Sequence, residues 1–390
     1  MTEVIAQNRC TGCRACVYVC PQSCIAFSAN GEGFLQPHID AEKCMDCRLC
    51  VRTCPVEHPL VGSPVMAAFS ARNKDAATVR ESSSGGVFTV LAETVIGQGG
   101  VVYGAAYRED FRKVQHRRID TVADIAALRG SKYVQSDLGT TFRAVKDDLA
   151  AGRQVYYSGT PCQIAGLLAF LGKHPDNLIT QDLICHGVPS PAVWETYISS
   201  VAKGRPVPAV NMRNKAKGWQ RYTLAIDFSN GETYAADKDH DAYLRAFSEN
   251  LSLRRSCGAC QYKSADRISD ITLADHWGFT PDDRGLSLVG IHSEKGLSLW
   301  KQVADRLEVQ ETSWETALTR NRSAVVSAQL NPKRDAFFSA LAEAGDDAQK
   351  ISHAEKYLTA PPSTLSGFCK KAARRGKLQK KQTAPTKVGA

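Results

Sequence analysis

Two copies of one cysteine pattern constrain this chain more than anything else in it. Cys10-Thr-Gly-Cys13-Arg-Ala-Cys16-Val-Tyr-Val-Cys20-Pro21 is followed by Cys44-Met-Asp-Cys47-Arg-Leu-Cys50-Val-Arg-Thr-Cys54-Pro55. Each run is C-x2-C-x2-C-x3-C-P, the spacing of two-cluster bacterial ferredoxins, in which the fourth cysteine of a run ligates the other cluster. The pattern predicts one [4Fe-4S] cluster on Cys10, Cys13, Cys16 and Cys54, and a second on Cys44, Cys47, Cys50 and Cys20. Zinc sites draw on paired cysteines rather than on triplets with a trailing Cys-Pro. Cys24 lies outside both runs and is expected to be a packed thiol.

The length of 390 residues suits two or three domains. The expected division is a ferredoxin-type domain over 1–60, the first part of a body over 61–150, its second part over 151–365, and a basic disordered tail over 366–390. The net charge of +9 comes mostly from that tail, where Gly367–Ala390 holds eight Lys or Arg and no acid. The remainder is near neutral, which argues against a nucleic-acid-binding surface. Apolar stretches such as Ile164–Leu171 are too short to span a bilayer, and Met1-Thr-Glu-Val-Ile-Ala6 lacks a signal peptide's basic start and apolar core. A cytoplasmic protein is expected, and in that reducing compartment its fourteen cysteines point to metal rather than disulfides.

From residue 66 onward, strand and helix patterns alternate. Strands are expected at 66–71, 101–107, 154–158, 178–184 and 222–228, and 268–278 is expected to be a strand running into a Gly-ended turn. Helices are expected at 87–96, 121–128, 137–151, from Pro161, from Pro191, at 296–305 and at 333–357. Alternation over 66–202 argues for an α/β body with a largely parallel sheet. Ser84-Gly85-Gly86 precedes a helix, where free backbone N–H groups suit a phosphate, although a plain capped loop has the same composition. Thr160-Pro161 and Ser190-Pro191 are N-cap and first-turn pairs. Cys162 therefore sits in a first turn, where the helix dipole favours thiolate. It and Cys185 lie at the carboxyl ends of strands, where α/β sheets gather their sites. With Cys257 and Cys260 they make four cysteines, the number a third [4Fe-4S] cluster needs. A zinc site, or scattered thiols with Cys162 as a nucleophile, fit the same residues.

Taken together, Ser84-Gly-Gly-Val-Phe88, Arg129-Gly-Ser-Lys-Tyr-Val-Gln135, Gly159-Thr-Pro-Cys-Gln163, Ile184-Cys-His-Gly-Val-Pro189, Cys257-x2-Cys260 and Asp270-Ile-Thr-Leu-Ala-Asp-His-Trp-Gly278 resemble the coenzyme F420 hydrogenase/dehydrogenase beta-subunit family. The resemblance runs in order over residues 66–330. It implies an FAD-binding iron–sulfur protein, with a small ferredoxin domain ahead of an α/β flavin-binding body with a mixed sheet. It further implies that Ser84, Gly85 and Gly86 belong to the FAD pyrophosphate site. Gly130, Ser131, Lys132 and Tyr133 would lie against the flavin, Lys132 stabilising negative charge on the reduced ring, with Thr160 and Pro161 flanking the site. Cys162, Cys185, Cys257 and Cys260 would hold the flavin-proximal cluster. His276 stands where relatives more often carry Phe, either as a proton donor near the flavin or as a polar surface residue.

The expected function is an FAD-dependent iron–sulfur oxidoreductase that passes electrons between ferredoxin-type clusters and an organic acceptor. A non-catalytic electron-transfer subunit of a larger complex is the alternative. Expected partners are a redox protein (a ferredoxin or a partner subunit), a small organic substrate and, for a homo-oligomer, further copies of the chain.

Overall fold

Strands β1 (Ile25–Ala29) and β2 (Leu35–Ile39) pair as an antiparallel hairpin between the two cysteine runs. Downstream, short apolar runs read as strands buried on both faces, and most of them enter one large sheet. In the computed structural model, which describes residues 3–279, 282–343 and 345–360, that sheet has eight strands. They are β3 (Ala67–Asn73), β4 (Val101–Tyr107), β5 (Val114–Ile119), β6 (Val155–Ser158), β7 (Leu178–Leu183), β11 (Ile271–Asp275), β12 (Ser287–Ile291) and β13 (Leu307–Glu311). Their order is β13-β3-β12-β11-β7-β6-β4-β5. Only the centre, β11-β7-β6-β4, is parallel. The flanks are antiparallel: β5 returns along β4, β12 along β11, and β3 lies between β12 and β13. A separate antiparallel sheet holds β8 (Ala209–Asn214), β9 (Thr223–Asp227) and β10 (Thr233–Asp237).

The alternation of side chains along the strands builds two apolar layers. Tyr156, Val102, Ile179 and Ile271 face the helix Val87–Gly97 through Val90, Leu91 and Val95. Val155, Tyr157, Val101 and Leu178 face the other way, onto Phe142, Val145, Ile164 and Leu167. The helix Pro161–Leu171 is therefore apolar for a reason other than membrane crossing. One side covers the sheet, and the other receives the cysteine-rich module: an added Cβ on Gly166 would lie 2.6 Å from Cys13 Cβ. Among the described residues no helix is long and apolar enough to cross a membrane.

The module is tied to the body at its far end as well. Glu32, in the β1–β2 turn, accepts two hydrogen bonds from the buried Arg334 and one from Arg255. The linker after it pairs back to back with the body through Ser63 and Arg267.

Several elements differ from the sequence pattern. The helix expected at 121–128 keeps only Ile125–Leu128, and that at 137–151 shortens to Thr141–Ala150. The segment 333–357 divides into Arg334–Ala342 and Asp347–Glu355, where Asp346 caps a new start with Gln349. The first strand does not join the parallel set, because β12 and β13 arrive from far along the chain and claim both its edges. The basic tail and Cys369 lie outside the described residues.

Candidate functional site

The two cysteine runs fold into loops with the same backbone. Gly12 and Arg14 adopt left-handed φ of 76° and 62°, and Asp46 and Arg48 repeat this at 51° and 57°. A non-glycine residue takes that conformation rarely, and a short polar Asp takes it most readily. The left-handed pairs fold each loop around its own thiols. Cys10, Cys13, Cys16 and Cys54 line one cavity with Val4, Ile5, Phe27 and Val56. Cys20, Cys44, Cys47 and Cys50 line another. Each cavity thus takes three cysteines from one run and the fourth from the other. Cys24 also lines the second cavity; it is buried, with its Sγ 3.4 Å from that of Cys20. The two cavities differ in exposure. All four thiols of the first are buried, whereas Cys20, Cys44 and Cys47 of the second are half-buried, with Met45 and Leu49 exposed beside them.

The parallel centre of the sheet positions the other four cysteines. β6 and β7 are neighbours, and both end at the same edge. After β6, Thr160 caps the next helix with Gln163 in a reciprocal capping box, and this sets Cys162 in the first turn. After β7 the chain runs straight into Cys185. The short 3-10 turn Arg255–Ala259 brings Cys257, with Cys260 at its end. All four thiols line one cavity together with Thr11, Arg254, Tyr262 and Lys263. Thr11 also lines the cavity of Cys10, Cys13, Cys16 and Cys54, so the two adjoin. The Lys263 ammonium is held there by the carbonyls of Cys185 and Ser323.

Burial, then mutual repulsion, pushes these thiols up: Cys185 and Cys257 to about 12, and Cys162 higher still. The expectation of an activated Cys162 thiolate is therefore corrected. Desolvation at this first turn outweighs the helix dipole. Among the described residues no group of three or more Cys, His, Asp or Glu side chains could hold a single metal ion. The thiols ring cavities instead of meeting at a point.

The residues expected against a flavin come together at a third place. Ser83 Oγ accepts a hydrogen bond of 2.6 Å from the Ser131 amide, which joins the Ser82–Gly86 turn to the 129–133 loop. Gly86 begins the helix Val87–Gly97 at φ 80° without a side-chain cap. Gly85 serves the sheet: a Cβ there would lie 2.8 Å from the Ser287 amide, and Ser84 Oγ is bonded to Leu286 O. The half-buried Lys132 turns its ammonium onto the carbonyls of Leu128, Arg129 and Gly130, and desolvation there lowers its pKa to about 7. Pro161 lines the cysteine cavity, and Thr160 Oγ1 lies 3.1 Å from Cys162 Sγ.

Two residues escaped sequence reasoning. Arg213 is buried, pairs with Asp275 at 2.9 Å, touches Tyr133 Oη and Ser83 O, and leaves its Nε without a partner. Lys215 Nζ donates to the carbonyls of Val79, Ser84 and Arg284. Burial brings its pKa down to about 8. The visible signal was Arg213-Asn-Lys215 ahead of Gly218-Trp219, two cations at strand spacing. Trp219 stacks on Trp277 at 4.3 Å and donates to Asp275.

His276 is fully buried, which overturns the surface reading. Its Nδ1 lies 2.6 Å from Ser70 Oγ, its ring stacks on Phe279, and Nε2 has no partner. Burial lowers its pKa to about 4, so it is neutral near pH 7.

Comparison with known proteins agrees with this layout. The family described as coenzyme F420 hydrogenase/dehydrogenase, beta subunit N-term, matches residues 68–142, and its C-terminal counterpart matches residues 152–315. A 4Fe-4S dicluster domain matches residues 9–58. No curated protein matches the chain significantly. Among solved structures, a chain of the F420-reducing [NiFe] hydrogenase complex from Methanosarcina barkeri is 18% identical, over 76% of this chain and 92% of that one, with a TM-score of 0.44. The two beta-subunit matches cover well over half of the sequence, and the dicluster domain fills most of what precedes them. This iron–sulfur electron-transfer protein belongs to the coenzyme F420 hydrogenase/dehydrogenase beta-subunit family.

Proposed function

We propose that the chain is an FAD-dependent iron–sulfur oxidoreductase carrying three [4Fe-4S] clusters and passing electrons between them and a small organic acceptor. One observation carries this reading. Cys162, Cys185, Cys257 and Cys260, brought from three separate segments, ring a single cavity that adjoins that of Cys10, Cys13, Cys16 and Cys54. Their arrangement matches that of the eight ferredoxin-type cysteines: thiols around a space, not thiols on a point. That suits a four-iron cluster better than one zinc ion, whose ligands sit within about 2.3 Å of the metal.

The flavin reading rests on charge. Lys132 and Lys215 are half-buried near the Ser83–Ser84 turn, and neither makes an ion pair among the described residues. The uncapped helix start at Gly86 adds the positive end of a dipole. Lys215, Lys132 and the amides after Gly86 would hold a pyrophosphate, and Tyr133, Arg213 and Asp275 would border the ring. When bound, FAD supplies the exchange between one-electron and two-electron transfer. The half-buried cysteines near Met45 and Leu49 favour contact with a redox partner protein at that end. An electron-transfer subunit handing electrons to a separate catalytic chain is the second reading, and the family's description as a beta subunit favours it. Turnover of an organic acceptor by the isolated chain separates the two.

The decisive experiment is iron, sulfide and flavin content after anaerobic purification. The expected result is about 12 iron atoms and one FAD per chain, since each cluster takes four cysteines. About 8 iron atoms would remove the third cluster, and clusters without FAD would leave only electron transfer. Lys215→Met is expected to weaken FAD about 10- to 100-fold, through the loss of a positive charge beside the phosphates. Flavin fluorescence during titration of the deflavinated chain measures it, and the cluster absorbance should not change.

A further inference from the structure

Five arginines of the described chain are buried: Arg72, Arg213, Arg254, Arg267 and Arg334. Four of them have a carboxylate partner: Asp282, Asp275, Asp182 and Glu32 in turn. Arg254, 2% exposed, has none among the described residues. Its Nε donates to Cys10 O at 2.7 Å, one terminal nitrogen to Gln135 Oε1 at 2.9 Å, and the other to Leu35 O at 3.0 Å. The guanidinium also lies over the Phe34 ring, 5.3 Å from its centre.

All these partners are neutral, and a guanidinium does not deprotonate in proteins. A buried charge without an opposite one is costly enough that it is rarely retained. The compensating charge must come from something the side chain faces. Arg254 faces two things: it lines the cavity of Cys162, Cys185, Cys257 and Cys260, and it grips the backbone of Cys10, a ligand candidate of the adjoining cavity. Four thiolates on a [4Fe-4S] core carry a net charge of about −2 oxidised and about −3 reduced.

We propose that Arg254 is the shared counter-ion of the two inner clusters, stabilising their reduced forms and so raising both potentials, while leaving that of the outer cluster at Cys20, Cys44, Cys47 and Cys50 unaffected. This rests on the three-cluster reading. Gln135 completes the device. Its amide oxygen takes one guanidinium nitrogen while its Nε2 donates to Thr11 O, so the Arg254–Gln135 pair bridges both cavities without adding negative charge.

The test is an EPR-monitored redox titration of the full chain, anaerobically purified, with iron counted in each sample. In Arg254→Gln, two of the three cluster potentials should shift negative while the third stays. In Arg254→Lys, which keeps the charge, both should remain closer to wild type. Gln135→Glu provides a second route that leaves the arginine in place: the added carboxylate neutralises it and should lower the same two potentials. Unchanged potentials at full iron content in both Arg254→Gln and Gln135→Glu would overturn the proposal, as would an equal shift of all three clusters. The wild-type iron count tests the underlying reading separately. About 8 iron atoms there would remove the third cluster and the shared role with it, whereas about 12 with no shift in the variants would remove only the role of Arg254.

Discussion

Replacing both cysteines of the C-x2-C loop, Cys257→Ala with Cys260→Ala, is expected to lower iron content from about 12 to about 8 atoms per chain. The flavin and the two ferredoxin-type EPR signals should remain. The effect is large because the loop contributes half of the thiols around that cavity, and two cysteines do not hold a cubane. The remaining fold should persist: both residues lie on the 3-10 turn Arg255–Ala259 and its end, outside the apolar layers of the sheet. Reduction of the flavin by a reduced ferredoxin-type donor should fail, since the cavity adjoining the first cluster has then lost its carrier. Cys24→Ala is the control. Cys24 is as buried as the ligand candidates and 3.4 Å from Cys20, yet it is outside both runs, so iron should stay at about 12 atoms. A double variant that retained full iron would assign the four thiols to something else.

The parts of this site that were legible in the sequence are those whose geometry is local. The cysteine spacing groups three thiols of one run with the fourth of the other, and the two cavities are lined that way. Thr160-Pro161 and Ser190-Pro191 start helices because capping involves neighbours within one turn. The rest depends on partners far away in the chain. β3 was visible as a strand, but its antiparallel edges are set by β12 and β13, more than 200 residues later. Arg213 and Lys215 sit in an unremarkable polar stretch, and only packing of β8 against the Ser83–Ser84 turn gives them a role. His276 reads as a surface residue because histidine is usually at least half wet. Its burial follows from the end of β11 being covered by Phe279 and by Ser70 of β3. Cys162 shows a local rule overridden: the first-turn position was right, and enclosure reversed its effect on the thiol.

Gly166 yields the second large effect, because it is where the cysteine-rich module meets the body. Cys162 and Gly166 are four residues apart and so share one face of the helix Pro161–Leu171. One turn of helix therefore separates a thiol of the inner site from the point that touches Cys13. A Cβ at 166 would lie 2.6 Å from Cys13 Cβ and 3.0 Å from Cys13 Sγ. Propensity alone predicts that Gly166→Ala stabilises the helix by about 0.5–1 kcal/mol. The contact predicts the opposite, about 1–3 kcal/mol of destabilisation from overpacking. Gly166→Leu adds three more heavy atoms on that face, and should expel the Cys10–Cys13–Cys16–Cys54 cluster, lowering iron by about four atoms. Thermal unfolding of the anaerobic protein reads the sign for alanine, and iron content with EPR reads the loss for leucine. A stabilised alanine variant, or a leucine variant with full iron, would mean that the module does not lie on this helix.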